Sequence, residues 1–203
     1  MSIKRFRTTA VTAVATAAVA ALLAGSGTAS GATRALSRFD DGSFETPKVA
    51  ANTFQALSAG QTIGPWQVTA GSVDLIGAGF WQAAEGDQSV DLNGSNAGTV
   101  SQTFTTTPGT AYTVTYSIAG NPDGAPVLKT GQARVDGQEF QAFSFDVTGK
   151  TRAAMGYVTR QFTFVATNAS TTLAFRSTTA GSSAGPVVDN VQVQACQPCP
   201  TCG

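Results

Sequence analysis

Hydrophobic and polar residues alternate along many short stretches of this chain, with the period of two residues that a β-strand has. The alternation is clear at positions 112–118, 143–147, 158–164, 173–175 and 187–193. Glycine, proline and asparagine separate these stretches, and such residues form tight turns between strands. A helical period of hydrophobic positions is hard to find beyond residue 32. The pattern predicts an all-β fold, an antiparallel β-sandwich.

The first 32 residues have a different character. Positive charges within residues 4–7 precede an uncharged stretch at 8–24, and small residues follow at 25–32. This layout predicts a cleavable secretory signal peptide over residues 1–32, with cleavage after Ala29 or Ala32. A membrane anchor is the alternative, but the stretch is rich in Thr and Ala, and a spanning helix needs about 20 strongly apolar residues. We therefore expect a secreted or cell-surface protein with no transmembrane helix after cleavage.

The remaining chain predicts a single β-sandwich domain at residues 37–194 and a tail at 195–203. Its charge argues against a nucleic-acid partner, because 12 basic and 12 acidic residues balance and no basic stripe is present. Histidine is absent, which excludes Ser-His-Asp and Cys-His nucleophiles and any histidine metal site.

The tail holds all three cysteines of the chain, Cys196, Cys199 and Cys202. A zinc knuckle would need a fourth ligand, and none is nearby. An exported chain favours oxidised thiols, so we expect a local disulfide together with an intermolecular or cell-surface link. A loose tail of no consequence is the alternative, since chain termini are usually loosely held.

Several ordered motifs resemble a known family. Residues 79–86 read Gly-Phe-Trp-Gln-Ala-Ala-Glu-Gly, and residues 89–94 read Ser-Val-Asp-Leu-Asn-Gly. These two runs resemble the core motif of the domain of unknown function 642 family, whose plant members are cell-wall proteins and whose bacterial relatives are called choice-of-anchor C proteins. Further matching runs follow the same order: residues 41–47, 71–75, 112–116, 119–121 and 185–191. The resemblance implies a galactose-binding-like jelly roll whose first and last strands lie close together.

One residue of the last predicted strand is anomalous. Asp189 shares the parity of Val187 and should point inward, where an unpartnered carboxylate is costly. Backbone N–H groups or an arginine such as Arg176 would satisfy it. The resemblance to galactose-binding-like modules instead implies a structural Ca²⁺ where the N-terminal strand meets the last strand, held by Glu45 and Asp189. Asp87 of the mid-chain loop would supply a further oxygen. Calcium prefers such oxygen ligands, and both readings stay open.

Trp81 is the candidate sugar platform, because a flat indole packs against the C–H face of a pyranose. Gln82 and Asn121 would bind the sugar hydroxyls. The competing reading places Trp81 in the core, because adjacent Phe80 and Trp81 face opposite ways on a strand and at least one should be buried.

Carboxylates are the remaining candidates for catalysis, and a glycosidase needs two of them. Nothing in the spacing of the acidic residues singles out a pair: Glu45, Asp74, Glu85, Asp87, Asp91 and Asp189. We therefore expect a non-enzyme, a secreted or cell-surface protein that binds carbohydrate such as a cell-wall polysaccharide. The alternative is an envelope structural or adhesion protein that binds protein partners and is anchored through its C-terminal tail.

Overall fold

The computed structural model describes residues 38–196, which form twelve β-strands. Their bounds are β1 Phe54–Ser58, β2 Thr62–Ile63, β3 Trp66–Ala70, β4 Ser72–Ile76, β5 Ser89–Asp91, β6 Thr99–Thr105, β7 Ala111–Gly120, β8 Leu128–Val135, β9 Gln138–Asp146, β10 Val158–Val165, β11 Ser170–Ser177 and β12 Pro186–Ala195. Within this range no helix is long and apolar enough to cross a membrane. The predicted signal peptide, Cys199 and Cys202 lie outside the described residues. Cys196 is exposed and forms no disulfide with another described residue.

The strands form two six-stranded sheets packed face to face. Sheet I has the order β1-β4-β5-β12-β7-β10, and sheet II has the order β2-β3-β6-β11-β8-β9. Every pair of neighbouring strands is antiparallel. The chain crosses repeatedly from one sheet to the other, as in a jelly roll. The predicted all-β, antiparallel jelly-roll sandwich is therefore confirmed.

The core lies between the two sheets and is built from the alternating positions. In β7, Val114, Tyr116 and Ile118 are buried, as their shared parity predicts. Trp66 of β3 is fully buried, and its ring lies 6.1 Å from that of Phe175 in β11. Burying aromatic rings of this size contributes strongly to folding because each removes a large apolar area from water.

The segment at residues 39–44, which forms no strand, lies against the last strand. The Val191 N–H of β12 donates to the Gly42 carbonyl oxygen at 2.8 Å, and the Trp66 indole N–H donates to the Asp41 carbonyl at 2.9 Å. The first and last strands are expected to lie close together, and it is this N-terminal segment, which is not a strand, that lies beside the last strand. The first strand itself, β1, pairs with β4 and is separated from β12 by two strands.

Two loops lie against part of sheet I and against each other. They comprise residues 77–88 before β5 and residues 147–157 before β10. The Trp81 indole N–H donates to the Ser89 hydroxyl at 2.8 Å, and the Gln82 N–H donates to the Arg152 carbonyl at 2.8 Å. The Met155 N–H donates to the Gln82 side chain at 3.1 Å. These bonds fix the two loops to each other and to the sheet.

Replacing Gly42 with alanine tests the junction of the 39–44 segment with β12. A Cβ at this position would overlap the Val191 carbonyl oxygen and approach the Phe39 ring at 3.1 Å. Since a backbone atom is the main obstacle, we expect Gly42→Ala to destabilise the protein by about 1–3 kcal/mol. Chemical denaturation measures this loss.

Ser43→Ala is the control, because it introduces alanine at the adjacent position, where a Cβ is already present. Such a substitution should stay within about 0.5 kcal/mol of wild type. Equal stabilities for the two variants would show that Gly42 is not packed against β12 as described.

Candidate functional site

A cleft of about 370 Å³ opens on the outer face of sheet I, beside the loop at residues 77–88. Its walls come from β1, β4, β5 and the segments after β7 and β9. The side chains that define it are Phe54, Asp74, Phe80, Asp91, Asn121 and Arg152. Aromatic and polar groups thus converge at one concave surface, which is the usual character of a ligand site.

One wall of the cleft is aromatic. Phe54 of β1 is 50% exposed, and its ring meets that of Phe80 edge to face at 5.6 Å. Phe80 in turn meets Trp81 edge to face at 5.5 Å. Trp81 lines the cleft but is only 5% exposed, and its indole N–H is already bound to Ser89. Most of the accessible aromatic surface therefore belongs to Phe54 and Phe80.

Two carboxyl groups lie opposite each other across neighbouring strands. Asp74 of β4 pairs in register with Asp91 of β5. Both side chains point outward because their neighbours in the strands, such as Val73, Leu75 and Val90, are buried in the core. Like charges placed directly across a strand pair repel each other. The fold therefore holds this pair at an electrostatic cost.

The two carboxyl groups differ in their hydrogen bonds. Asp91 is fully buried and accepts from the Asn93 N–H at 2.9 Å, the Gly185 N–H at 3.0 Å and the Asn121 side-chain amide at 2.7 Å. Burial raises the pKa of Asp91 to about 7. Burial also raises the pKa of Asp74 to about 6, and its Oδ1 is a buried acceptor without a donor among the described residues. Asp74 is therefore the carboxyl group with bonding capacity left for a ligand.

An ion pair closes one end of the cleft. Arg152 and Asp123 are joined at 2.7 Å, and the Arg152 guanidinium lies 4.1 Å from the centre of the Phe80 ring. The Asn121 side chain links this pair to the carboxyl groups, since it accepts from the Asp123 N–H at 2.9 Å while donating to Asp91. The arrangement fixes the orientation of the Asn121 amide in the cleft.

Lys129 holds the neighbouring loops from beneath. It is fully buried, and its ammonium donates to the carbonyls of Gly124 and Ala184 at 2.6 and 2.9 Å. Burial lowers the pKa of Lys129, while the charge of Asp91 opposes that effect. The carbonyl partners explain how a lysine is tolerated in the interior.

The three residues predicted to bind sugar lie near one another, but in different roles. Trp81 lines the cleft from a buried position, and Asn121 lies at its polar end. Gln82 is exposed, and its side-chain amide oxygen accepts the Met155 N–H. The sequence interpretation missed Phe54 and Arg152. It also did not single out Asp74 and Asp91, although both occur in the repeated run Ser-Val-Asp-Leu, at residues 72–75 and 89–92.

The carboxyl groups predicted to bind calcium are taken up by protein donors. Asp189 accepts from the N–H groups of Ala84, Glu85 and Asn190 at 2.7, 3.1 and 2.6 Å. It is fully buried, which raises its pKa to about 7. Backbone N–H groups, rather than Arg176 on the other sheet, therefore satisfy Asp189.

The other two predicted ligands, Glu45 and Asp87, share Lys48, whose ammonium lies 3.2 Å from Glu45 and 3.0 Å from Asp87. Glu45 also accepts the N–H groups of Asp87 and Gln88. The described residues contain no group of three or more acidic or cysteine side chains that could hold a metal ion. N–H donors and an ammonium already bind both oxygens of Asp189 and of Glu45 and one oxygen of Asp87, and the arrangement does not fit Ca²⁺. Calcium binding stays a prediction from the sequence, and elemental analysis of the purified protein tests it.

The raised pKa values predict how stability depends on pH. Asp91, Asp189 and Asp74 have a usual value of 3.8 and bind their protons more tightly in the folded chain. The folded state therefore carries more protons than the unfolded state between about pH 4 and pH 7, and stability falls as the pH rises through this window. We expect a higher free energy of unfolding at pH 5 than at pH 7.5, measured by chemical denaturation.

Two variants make this prediction specific. Asp91→Asn should weaken the dependence of stability on pH, because it removes one of the three carboxyl groups named above. Asp146→Asn is the matched control, since Asp146 is exposed and its pKa is lowered by hydrogen bonds to Thr148. A wild-type stability that is constant or rises between pH 5 and pH 7.5 would contradict the prediction.

Comparison with known proteins gives one family and several more distant likenesses. A family model described as "Protein of unknown function (DUF642)" matches residues 37–194. Halomucin of Haloquadratum walsbyi is 29% identical over 145 residues, which make up 70% of this chain and 2% of that protein. This chain thus corresponds to a small fraction of that relative's length.

Two binding modules are among the solved structures that are similar in shape. A family 35 carbohydrate binding module from Clostridium thermocellum has a TM-score of 0.47 at 13% identity, covering 70% of this chain and 97% of the module. The CBM22-1 xylan-binding domain from Paenibacillus barcinonensis has a TM-score of 0.47 at 16% identity, covering 73% of this chain and 96% of that domain. Any ligand of this chain must be inferred from its own residues.

Proposed function

This chain belongs to the DUF642 family, whose description names no activity, and we propose from the residues of its cleft that it binds carbohydrate without cleaving it. The membership confirms the family resemblance seen in the motifs. The choice-of-anchor C type stays a prediction. We also propose that the protein acts outside the cell, secreted or at the cell surface, where a cell-wall polysaccharide is a ligand of the right class.

The observation that carries the proposal is the pairing of an accessible aromatic wall with an unpartnered carboxylate oxygen. A pyranose has an apolar C–H face and a rim of hydroxyl groups. The rings of Phe54 and Phe80 suit the C–H face. The Asp74 Oδ1, a buried acceptor without a donor, suits a hydroxyl hydrogen. The two needs of a sugar are met within one cleft of about 370 Å³.

The cleft favours binding over hydrolysis. A glycosidase needs two carboxyl groups that both reach the substrate. Both oxygens of Asp91 are held by N–H donors from Asn93, Gly185 and Asn121, and the side chain is fully buried. Only Asp74 of this pair has an oxygen that accepts no hydrogen bond from the described residues, so we expect no release of reducing sugar from a polysaccharide that the protein retains.

Phe54→Ala tests the aromatic wall. If a sugar stacks on this ring, its loss should weaken retention on an insoluble polysaccharide by roughly three- to tenfold, the effect of losing about 0.5–1.5 kcal/mol of aromatic contact. A pull-down against cellulose, chitin, pectin and peptidoglycan identifies the polymer that retains the protein. A depletion isotherm on that polymer then gives the change in affinity.

Phe140→Ala is the matched control, because Phe140 is 44% exposed but lies on β9 in sheet II. It should bind as wild type does. Trp81→Ala is a poorer test, since removing a buried tryptophan costs about 3–5 kcal/mol and would abolish binding through unfolding. If the wild type is retained on no glycan, or if both phenylalanine variants bind equally well, the proposed cleft is wrong.

A further inference from the structure

Two arginines lie side by side on the outer face of sheet II. Arg134 is in β8 and Arg176 is in the neighbouring strand β11, where Ala174 is opposite Arg134 and Gln132 is opposite Arg176. The arginines are therefore diagonal neighbours on one face, a separation that long side chains bridge. Their sequence neighbours Val135 and Phe175 are buried in the core, so both guanidinium groups belong to the outer surface.

The arginines border a shallow depression of about 440 Å³. Its other lining residues are small or carry hydroxyl groups, among them Thr69, Ala97, Thr99 and Ser177, and no acidic residue lines it. Ala174 of β11, opposite Arg134, is a small side chain on the same face. The surface is thus open, hydroxylated and positively charged, in contrast to the acidic cleft of sheet I.

Neither arginine has an ion-pair partner among residues 38–196, where the salt bridges involve Lys48 and Arg152. Glu139 of β9 is opposite Arg134 in register but lies beyond salt-bridge distance. Arg134 is held by a hydrogen bond from its Nη2 to the Gly137 carbonyl.

The Nε of Arg134 is buried and has no acceptor. A buried N–H group without an acceptor is unfavourable, and oxyanions are the partners that a guanidinium binds best, often through two parallel bonds. Arg134, which has this vacant donor, and Arg176, which has no ion-pair partner among the described residues, line the same depression. An oxyanion is the kind of group that such a pair binds best.

We propose that this depression is a second binding site, which takes a carboxylate or sulfate group of an acidic polysaccharide between Arg134 and Arg176. The inference that a polysaccharide carries the anionic group rests on the proposed function. The inference that the ligand is anionic follows from the two arginines alone. The threonine and serine hydroxyls around the pair would bond to the sugar hydroxyls beside that group. The site lies on the opposite face of the sandwich from the cleft and shares no residue with it.

The test compares three soluble polymers by affinity electrophoresis of the whole chain: polygalacturonate, dextran sulfate and unmodified dextran. We expect retardation by at least one of the two anionic polymers, and the one that retards identifies the anionic group. The double variant Arg134→Gln/Arg176→Gln should weaken that binding at least about tenfold, since hydrogen bonds to charged groups are strong. Arg134→Lys/Arg176→Lys keeps the charge but loses the planar fork, so it should also bind more weakly than wild type.

The control is Arg38→Gln/Arg160→Gln, which removes the same charge at two exposed arginines outside the depression. It should bind as wild type does, and melting temperatures establish that every variant is folded. Equal weakening by both glutamine pairs would reduce the effect to net charge and overturn the proposal, as would a wild type that neither anionic polymer retards. Phe54→Ala should leave binding of the anionic polymer unchanged. The experiment therefore distinguishes failure of this second site from failure of the cleft.

Discussion

The cleft depends on the buried carboxyl group of Asp91. Its two oxygens accept N–H groups from the loop after β5, from the residue that follows β7 and from the residue that precedes β12, namely Asn93, Asn121 and Gly185. Three segments that are distant in sequence therefore meet at one side chain. Removing it would leave several buried donors without acceptors, and each such loss is costly. The buried ammonium of Lys129 lies close enough to Asp91 to oppose part of the cost of burying the charge.

Asp189 performs a similar task for the loop at residues 77–88. It receives the N–H groups of Ala84 and Glu85 and so fixes the loop that carries Phe80 and Trp81. Both carboxyl groups are stabilised mainly by backbone donors, and burial raises the pKa of each to about 7. The same burial that positions the site thus makes its stability sensitive to pH near neutrality. Asp189 needs no metal ion in this arrangement, because each of its oxygens already accepts an N–H group.

The sequence predicted the fold better than the site, and the reason is the range of the interactions. Alternation is local, so the buried face of β7 could be inferred from Val114 and Tyr116 alone. The cleft requires the register between β4 and β5, which sets Asp74 opposite Asp91. The repeated Ser-Val-Asp-Leu run distinguishes these two acids from Glu85, but only the strand pairing shows that they lie side by side. The position of Trp81 also depends on a contact outside its own motif, since Ser89, eight residues further along the chain, accepts its indole N–H.

The two faces of the sandwich present opposite charges, and this limits which ligand each can take. Sheet I places Asp74 in its cleft, where burial raises the pKa of the carboxyl group to about 6. Above that pH the cleft gains negative charge, which repels an anionic sugar but accepts hydroxyl donors. Arg134 and Arg176 place positive charge on the outer face of sheet II. A neutral sugar and an anionic group would therefore be sorted to different faces. A polymer that carries both could be held by two molecules of this protein, one through each face.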